Sequence, residues 1–411
     1  MPMGLSASPL SFCRLPTALC AIAQVWCAVC VESFVDDYII VDRNDAPIEI
    51  HDPSAPAGAP PRAWTSSGQW CLNRIHDLAG IGLEPKKQKP AATENELLGV
   101  LGDLADYVPH GRIRFSATRK RRSEIIASMD EARREGKLRP RQAASMLGRL
   151  NFALSAAYTS VGRAATQPLV DRANKRHEGR GRNCRNPHRW TPSMTHMLAF
   201  FRELFEHLPP VEFVAGKASR NKVVVYTDAS LSSARNGIGI VIFDQETNES
   251  FRCDSPCPAW LMRAWNDGST NPWLLGEYKE RDKRIAHVNA LELLAIVAAV
   301  WTFGPAFFSN RQVVFFCDST AAMSAAVHGY ARAPHLAALA NTLHLAMARL
   351  RCQAWFEWVP SEANPADLPS RPQGKEAEDF YKKESLKLWP VAMRFPSMAQ
   401  LSRPRFHDVS A

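Results

Sequence analysis

The chain lacks the framework of a disulfide-stabilised protein. Its ten cysteines stand at positions 13, 20, 27, 30, 71, 184, 253, 257, 317 and 352 of 411, too few and too scattered to staple a secreted scaffold. Cys27 and Cys30 have CxxC spacing, but no second Cys/His pair follows at zinc-ligand spacing, so a structural zinc site is not expected. No unit of about 20–50 residues repeats, which excludes solenoids and propellers. Glycine, at 21 residues, is far from a collagen share, and 46% hydrophobic with 22% charged residues is a globular composition. A clear membrane span is missing too. The uncharged run from Leu15 to Val31 follows Arg14 but covers only 17 residues with Gln24 inside, so a buried helix of an incomplete domain is expected in place of a signal or anchor. These absences together predict a reduced intracellular protein, of cytoplasm or nucleus, with no membrane partner.

What is present is an uneven charge. The net +9 is concentrated: Gly111 to Trp190 holds 20 Lys/Arg against 6 Asp/Glu, or +14, and the rest of the chain sums to −5. A single-sign stretch suits a polyanionic partner. Aromatic residues are sparse there, which favours phosphate contact over base stacking. Within it, Ile125, Ile126, Met129 and Ala132 recur at helical steps over Arg122 to Lys137, and a second helix is expected over Arg141 to Tyr158. The basic, Gly/Asn-rich KRHEGRGRNCRNPHRW that follows reads as a loop.

From Asn221 the pattern changes to strands and helices. KVVVY, GIGIVIF and Ser250 to Cys253 are three strands, NALELLAIVAAVWT a buried helix and QVVFFC a strand. Helices over Thr320 to His328 and Pro334 to Leu350 precede a last strand, QAWFEWV. This order predicts an α/β (α+β) fold, a mixed sheet with helices on its faces. Four acids stand out: Asp228 directly after the first strand, Glu292 inside the apolar helix, Asp318 ending the next β-strand, and Asp367 in the late turn. Singly, Asp228 and Asp318 are equally turn formers or helix caps. Glu292 between Leu291 and Leu293 has no such bland role. Strand ends at one sheet edge converge, and converging carboxylates repel unless cations sit among them. Oxygen ligands select Mg²⁺ or Mn²⁺, and two such ions can clamp a phosphodiester.

The ordered motifs TDAS, GIGIVI, HVNALELLA, CDSTAA and ANPADLPSR resemble the ribonuclease H domain of a retroelement reverse transcriptase, in flavour that of DIRS-like elements. The resemblance spans about Asn221 to Arg371. It implies that Asp228, Glu292, Asp318 and Asp367 are catalytic and bind two Mg²⁺ or Mn²⁺ ions, and that the substrate is an RNA–DNA hybrid. Cellular members carry a His in the loop before the last Asp. Here that loop reads PSEAN, so His-assisted product release is not carried over.

Residues 1–110 are similar to part of a reverse-transcriptase palm. MPMGLSASPLSF resembles the motif before the catalytic turn, FVDD puts Asp36 and Asp37 where that turn holds metal, and GIGLEPKKQKP resembles the later palm segment, with Lys86 or Lys87 near phosphates. Residues 111–220 then correspond to a basic thumb and connection, where Arg119, Lys120, Arg121 and Arg122 are the expected phosphate contacts, 221–372 to the ribonuclease H-like domain, and 373–411 to a tail. The family's further polymerase Asp lies upstream of the motif at Met1, so RNA-directed DNA polymerisation is not expected of this polypeptide alone. The alternative expectation is a non-catalytic nucleic-acid-binding remnant of a retrotransposon polyprotein.

Overall fold

The computed structural model describes residues 8–34, 37–42, 48–50, 63–65, 67–84, 92–97, 99–156, 160–174, 188–214, 222–231, 236–266, 287–371, 374–383 and 387–402. Two compact units divide the chain, residues 1–97 and 98–411.

The first unit contains helix α1 (Ser8–Cys27), strands β1 (Cys30–Phe34), β2 (Asp37–Val41), β3 (Ile48–Ile50) and β4 (Ala63–Thr65), helix α2 (Ser67–Leu78) and strand β5 (Glu94–Leu97). The uncharged run falls mostly on α1, which is buried on one stripe only. Pro16, Leu19, Cys20 and Ala23 follow the helical period inward, while Leu15, Val25 and Trp26 are exposed. Asp42 caps α2, its carboxylate accepting from the Gly68 backbone N–H at 2.5 Å and the Ser67 hydroxyl at 3.1 Å. The small core joins Cys20, Ala23, Val29, Val31 and Leu72.

The second unit opens with β6 (Val100–Asp103), α3 (Tyr107–His110), β7 (Arg112–Ala117), α4 (Arg119–Arg134), α5 (Pro140–Leu154), α6 (Gln167–Ala173), α7 (Pro192–His207) and β8 (Val211–Val214). Strand β7 pairs antiparallel with both β6 and β8. The boundary expected at 110/111 therefore falls inside a sheet, and the compact break lies at 97/98. Thr118 and Thr191 cap α4 and α7, each accepting a backbone N–H at 3.3 Å. Their apolar stripes, Ile125, Met129 and Ala132 facing Met197, Phe201 and Leu204, make one core.

The sheet that follows is built from β9 (Lys222–Leu231), β10 (Asn236–Asp244), β11 (Glu249–Pro256), β12 (Gln312–Cys317), β13 (Gln353–Trp358) and β14 (Trp389–Pro390). With these strands come α8 (Ala259–Asn266), α9 (Val288–Phe308), α10 (Thr320–His328), α11 (Pro334–Arg349), α12 (Asp367–Ser370), α13 (Gly374–Lys383) and α14 (Met398–Ser402). The strand order is β13-β12-β9-β10-β11-β14. β9, β10 and β11 form an antiparallel meander, and β12 and β13 run parallel to β9. The fold is thus of the mixed α+β class, with helices on a mixed sheet. Helix α9 is long and apolar enough to cross a membrane, yet every residue from Ala290 to Val300 is buried, and all but Glu292 belong to the sheet core. Past the expected end at Thr302 the helical path breaks at Gly304, whose φ is +52°, and a last turn restarts at Pro305.

Helix α11 joins the sheet to the basic helices. Leu339, Leu343, Ala346 and Met347 enter the sheet core, and Leu345 and Ala348 enter the α4–α7 core. Every residue from 335 to 348 is buried, so the helix is covered on every side. His344 completes the seam: its Nδ1 accepts the Ser160 N–H at 3.2 Å, and its Nε2 donates to the Ala326 carbonyl at 2.7 Å. Burial drives its pKa down to about 4 and keeps it neutral. The expected 220/221 boundary thus lies within one compact unit. Of the expected tail, the described residues 374–383 and 387–402 pack onto this unit, since β14 pairs with β11, Tyr381 is buried and Leu401 joins the core.

Candidate active site

Strands β9 and β12 carry the same length of β-branched and aromatic sequence before an acid, KVVVYTD and QVVFFCD. Their parallel register pairs Lys222 with Gln312 and Tyr226 with Phe316. Continued by two places, it sets Asp228 beside Asp318 at the C-terminal end of the sheet's centre. Asp228 is buried, 4% exposed, and Asp318 is half-buried just past its strand.

Glu292 reaches the same place from α9, with 5% exposure. It accepts the Ala229 backbone N–H, and the Cys317 thiol donates to its Oε2 at 3.7 Å. The ligand atoms of Glu292, Cys317 and Asp318 all lie within 4.8 Å of one another.

Asp367 arrives on α12, and two glycines explain how. A Cβ at Gly239, which pairs with Asp228, would stand 2.4 Å from the Ala366 carbonyl oxygen, and one at Gly237 would stand 1.8 Å from that of Ser370. The spaces left by the missing side chains let α12 lie directly on β10. The preceding loop is pinned as well. Asn364 donates to the Thr227 carbonyl at 3.0 Å and accepts the Ala366 N–H at 3.1 Å. Ser230 donates to the Ser370 carbonyl at 2.6 Å, and the Tyr381 hydroxyl donates to that of Pro365 at 3.0 Å. Asp367 itself pairs with Arg371 at 2.6 Å.

The electrostatics follow from burial and like charge. Burial raises Asp228 to about 7, the Ser370 hydrogen bond opposes it, Asp318 and Asp367 raise it further, and Arg371 lowers it. Glu292 goes to about 9 through burial, then repulsion from Asp228 and Asp318, against the Ala229 and Cys317 hydrogen bonds. Buried carboxylates that repel one another take up a proton or a cation. Asp318 is oriented from the far side, its Oδ2 accepting from the Ser361 hydroxyl at 2.5 Å and its carbonyl from the Trp358 indole at 2.9 Å.

All four predicted acids therefore belong to one neighbourhood, three through direct approach or register and Asp367 through its field at Asp228. Sequence reasoning missed Cys317, Ser361, Asn364, Ser370 and the paired glycines. The G-x-G of the second strand was the available signal, since glycine inside a strand marks a close approach.

The expected phosphate contacts divide. Arg119 and Lys120 are exposed on the first turn of α4. Arg121 lies over the Phe152 ring, 4.6 Å from its centroid. Arg122 is half-buried and donates to the Phe205 carbonyl at 2.6 Å, with burial and Arg119 lowering its pKa. In the first unit, β1 and β2 form the hairpin around FVDD, with Phe34 opposite Asp37. Asp36, the side chain of Asp37, Lys86 and Lys87 lie outside the described residues.

No family model matches the chain, and no curated protein matches it.

Proposed function

We propose that the second unit is a metal-dependent nuclease that hydrolyses the RNA strand of an RNA–DNA hybrid, as the ribonuclease H part of a retroelement reverse transcriptase. The observation that carries this reading is the meeting of Asp228, Glu292 and Asp318, from two parallel strands and a buried helix, in mutual repulsion at one sheet edge. Such a cluster opposes folding unless a proton or a cation is held there, and a cation is the partner that leaves the carboxylates charged.

The donor set fits Mg²⁺ or Mn²⁺: carboxylate oxygens dominate, and the one sulfur is a buried thiol whose pKa is pushed up by burial and by Glu292. Asp228, Glu292, Asp318 and Asp367 would hold the ions, with Asp228 central because it feels both Asp318 and Asp367. When bound, a metal pair activates water and stabilises the leaving oxygen of a phosphodiester. The protein contributes fixed aim. Ser361 and Trp358 hold Asp318, Asn364 and the paired glycines hold the Asp367 turn, and the Ala229 N–H holds Glu292. Exposed Arg119 and Lys120 supply positive charge for a polyanion, whose hybrid character would be read by groove shape and 2′-hydroxyls.

The test is cleavage of a labelled RNA–DNA hybrid by the full chain. Products are expected with Mg²⁺ or Mn²⁺, and none with Ca²⁺, EDTA or the Asp228→Asn variant. Cleavage in EDTA, or undiminished cleavage by Asp228→Asn, refutes the reading. Metal-independent binding of the hybrid without cleavage would assign the chain to the non-catalytic nucleic-acid-binding alternative.

A further inference from the structure

Trp358 closes β13 at the rim of the carboxylate cluster. It pairs with Cys317, the residue before Asp318, so its side chain lies on the same side of the sheet as the Cys317 thiol. Trp358 is 52% exposed, although burying so large an apolar side chain would ordinarily be favourable. It is not loosely exposed. Its Nε1 donates to the Asp318 carbonyl at 2.9 Å, and three residues on Ser361 grips the Asp318 carboxylate. The only donor of the ring is therefore committed, and what remains toward solvent is an apolar, π-rich face fixed beside Asp318.

We propose that Trp358 is a stacking platform for an unpaired base of the nucleic-acid substrate next to the scissile phosphate. The inference rests on the nuclease reading and names a substrate preference for it. A ring without a free donor recognises a nucleotide by its face and not by its hydrogen-bonding edge, so the preference is for a base of any identity. Bases inside a continuous duplex have both faces covered by their neighbours. A base in a single-stranded overhang beside the hybrid has one face open, so the platform directs cleavage to hybrid ends and junctions. Trp358 is a positioning residue: it holds the strand whose phosphate meets the carboxylates and takes no part in the bond change.

Trp355 provides the internal control. It is 65% exposed on the same strand but on the opposite face, and its indole donates to Glu357 at 3.1 Å. Exposure alone would make the two equivalent, whereas the platform reading assigns the effect to Trp358.

The experiment uses the full chain and two hybrids that differ only in one unpaired overhang nucleotide, normal or abasic. Affinity is measured in Ca²⁺, where turnover is not expected, and kcat and KM in Mg²⁺. The parent should bind the normal overhang about tenfold more tightly than the abasic one, a stacking-sized effect, and show the difference in KM with kcat little changed. Trp358→Ala should bind the two alike, Trp358→Phe should keep most of the preference, and Trp355→Ala should keep all of it. Parent protein that does not discriminate base from abasic overhang, or Trp358→Ala that still does, overturns the platform. Hybrid cleavage by Asp228→Asn equal to the parent, with the base preference intact, instead overturns the nuclease reading alone.

Discussion

Replacing Asp228 by Asn should make the metal-free protein more stable, and by an amount that depends on pH. In the fold Asp228 loses its proton near 7, against an ordinary 3.8. A carboxyl whose folded pKa lies above its unfolded value opposes folding once the unfolded chain ionises. Below about pH 4 neither state is ionised and Asp228 makes no difference. Between about 4 and 7 the unfolded chain releases a proton that the fold retains, so stability falls as pH rises. Above 7 the loss is constant, and at roughly 1.4 kcal/mol per pKa unit it is on the order of 4 kcal/mol. Glu292, raised from 4.5 to about 9, extends the decline to higher pH. Asn keeps the shape and an acceptor for Ser370 but never ionises, and it also removes one source of repulsion from Glu292.

The assay is urea unfolding in EDTA at pH 4 and at pH 8. Parent and Asp228→Asn should unfold together at pH 4, and the variant should resist more urea at pH 8, with a gap of up to about 4 kcal/mol. Adding Mg²⁺ at pH 8 should reverse the order, because ion binding stabilises the folded state of the parent by mass action. A variant less stable than the parent at pH 8 in EDTA would mean that Asp228 is a structural hydrogen-bonding group, and the cation argument would fail with it.

Gly239→Ala should lower nuclease activity far more than it lowers sheet stability, since the new methyl meets the Ala366 carbonyl at 2.4 Å and overpacking of this kind disturbs by about 1–3 kcal/mol. Unimpaired cleavage would show that α12 moves without consequence. Neutralising exposed Arg119 and Lys120 to Gln should flatten the log–log salt dependence of hybrid affinity by about 0.7–0.9 for each phosphate no longer engaged, with unfolding unchanged. Arg122→Ala should do the opposite, removing the donor to the Phe205 carbonyl and destabilising by about 1–3 kcal/mol. Equal salt slopes for parent and Arg119→Gln/Lys120→Gln would return these two residues to a merely solvated face.

How much of this was legible in the chain depended on whether the controlling interaction was local. The strands and helices after Asn221 follow short-range periodicity, and QVVFFC and Thr320 to His328 occupy the expected residues. Two of the acids were legible for a geometric reason. Parallel strands with equal run lengths deliver their terminal residues to the same edge, and KVVVYTD with QVVFFCD is such a pair. Asp367 was legible only as a member of a motif, because its position depends on contacts that spacing does not encode: Asn364 reaching Thr227 across 137 residues, and Ser230 reaching Ser370 across 140. The basic helix shows the complementary limit. Composition counted four adjacent cations as one surface, but an α-helix turns about 100° per residue, so four in a row cannot share a face. Arg119 and Lys120 point to solvent, while Arg121 and Arg122 turn onto Phe152 and the Phe205 carbonyl. The domain boundaries are displaced for a similar reason, because long-range pairing overrides local composition. Lengths and charge runs suggested breaks at 110 and 220, whereas β7 pairing with β6 and β8, and α11 filling two cores at once, make residues 98–411 a single compact unit. His344 on the α11 seam meets the Phe356 ring of β13 edge-on, and the last residue of β13, Trp358, holds the Asp318 carbonyl, so substitutions on that seam are expected to weaken cleavage through β13 and Asp318 before they unfold the chain.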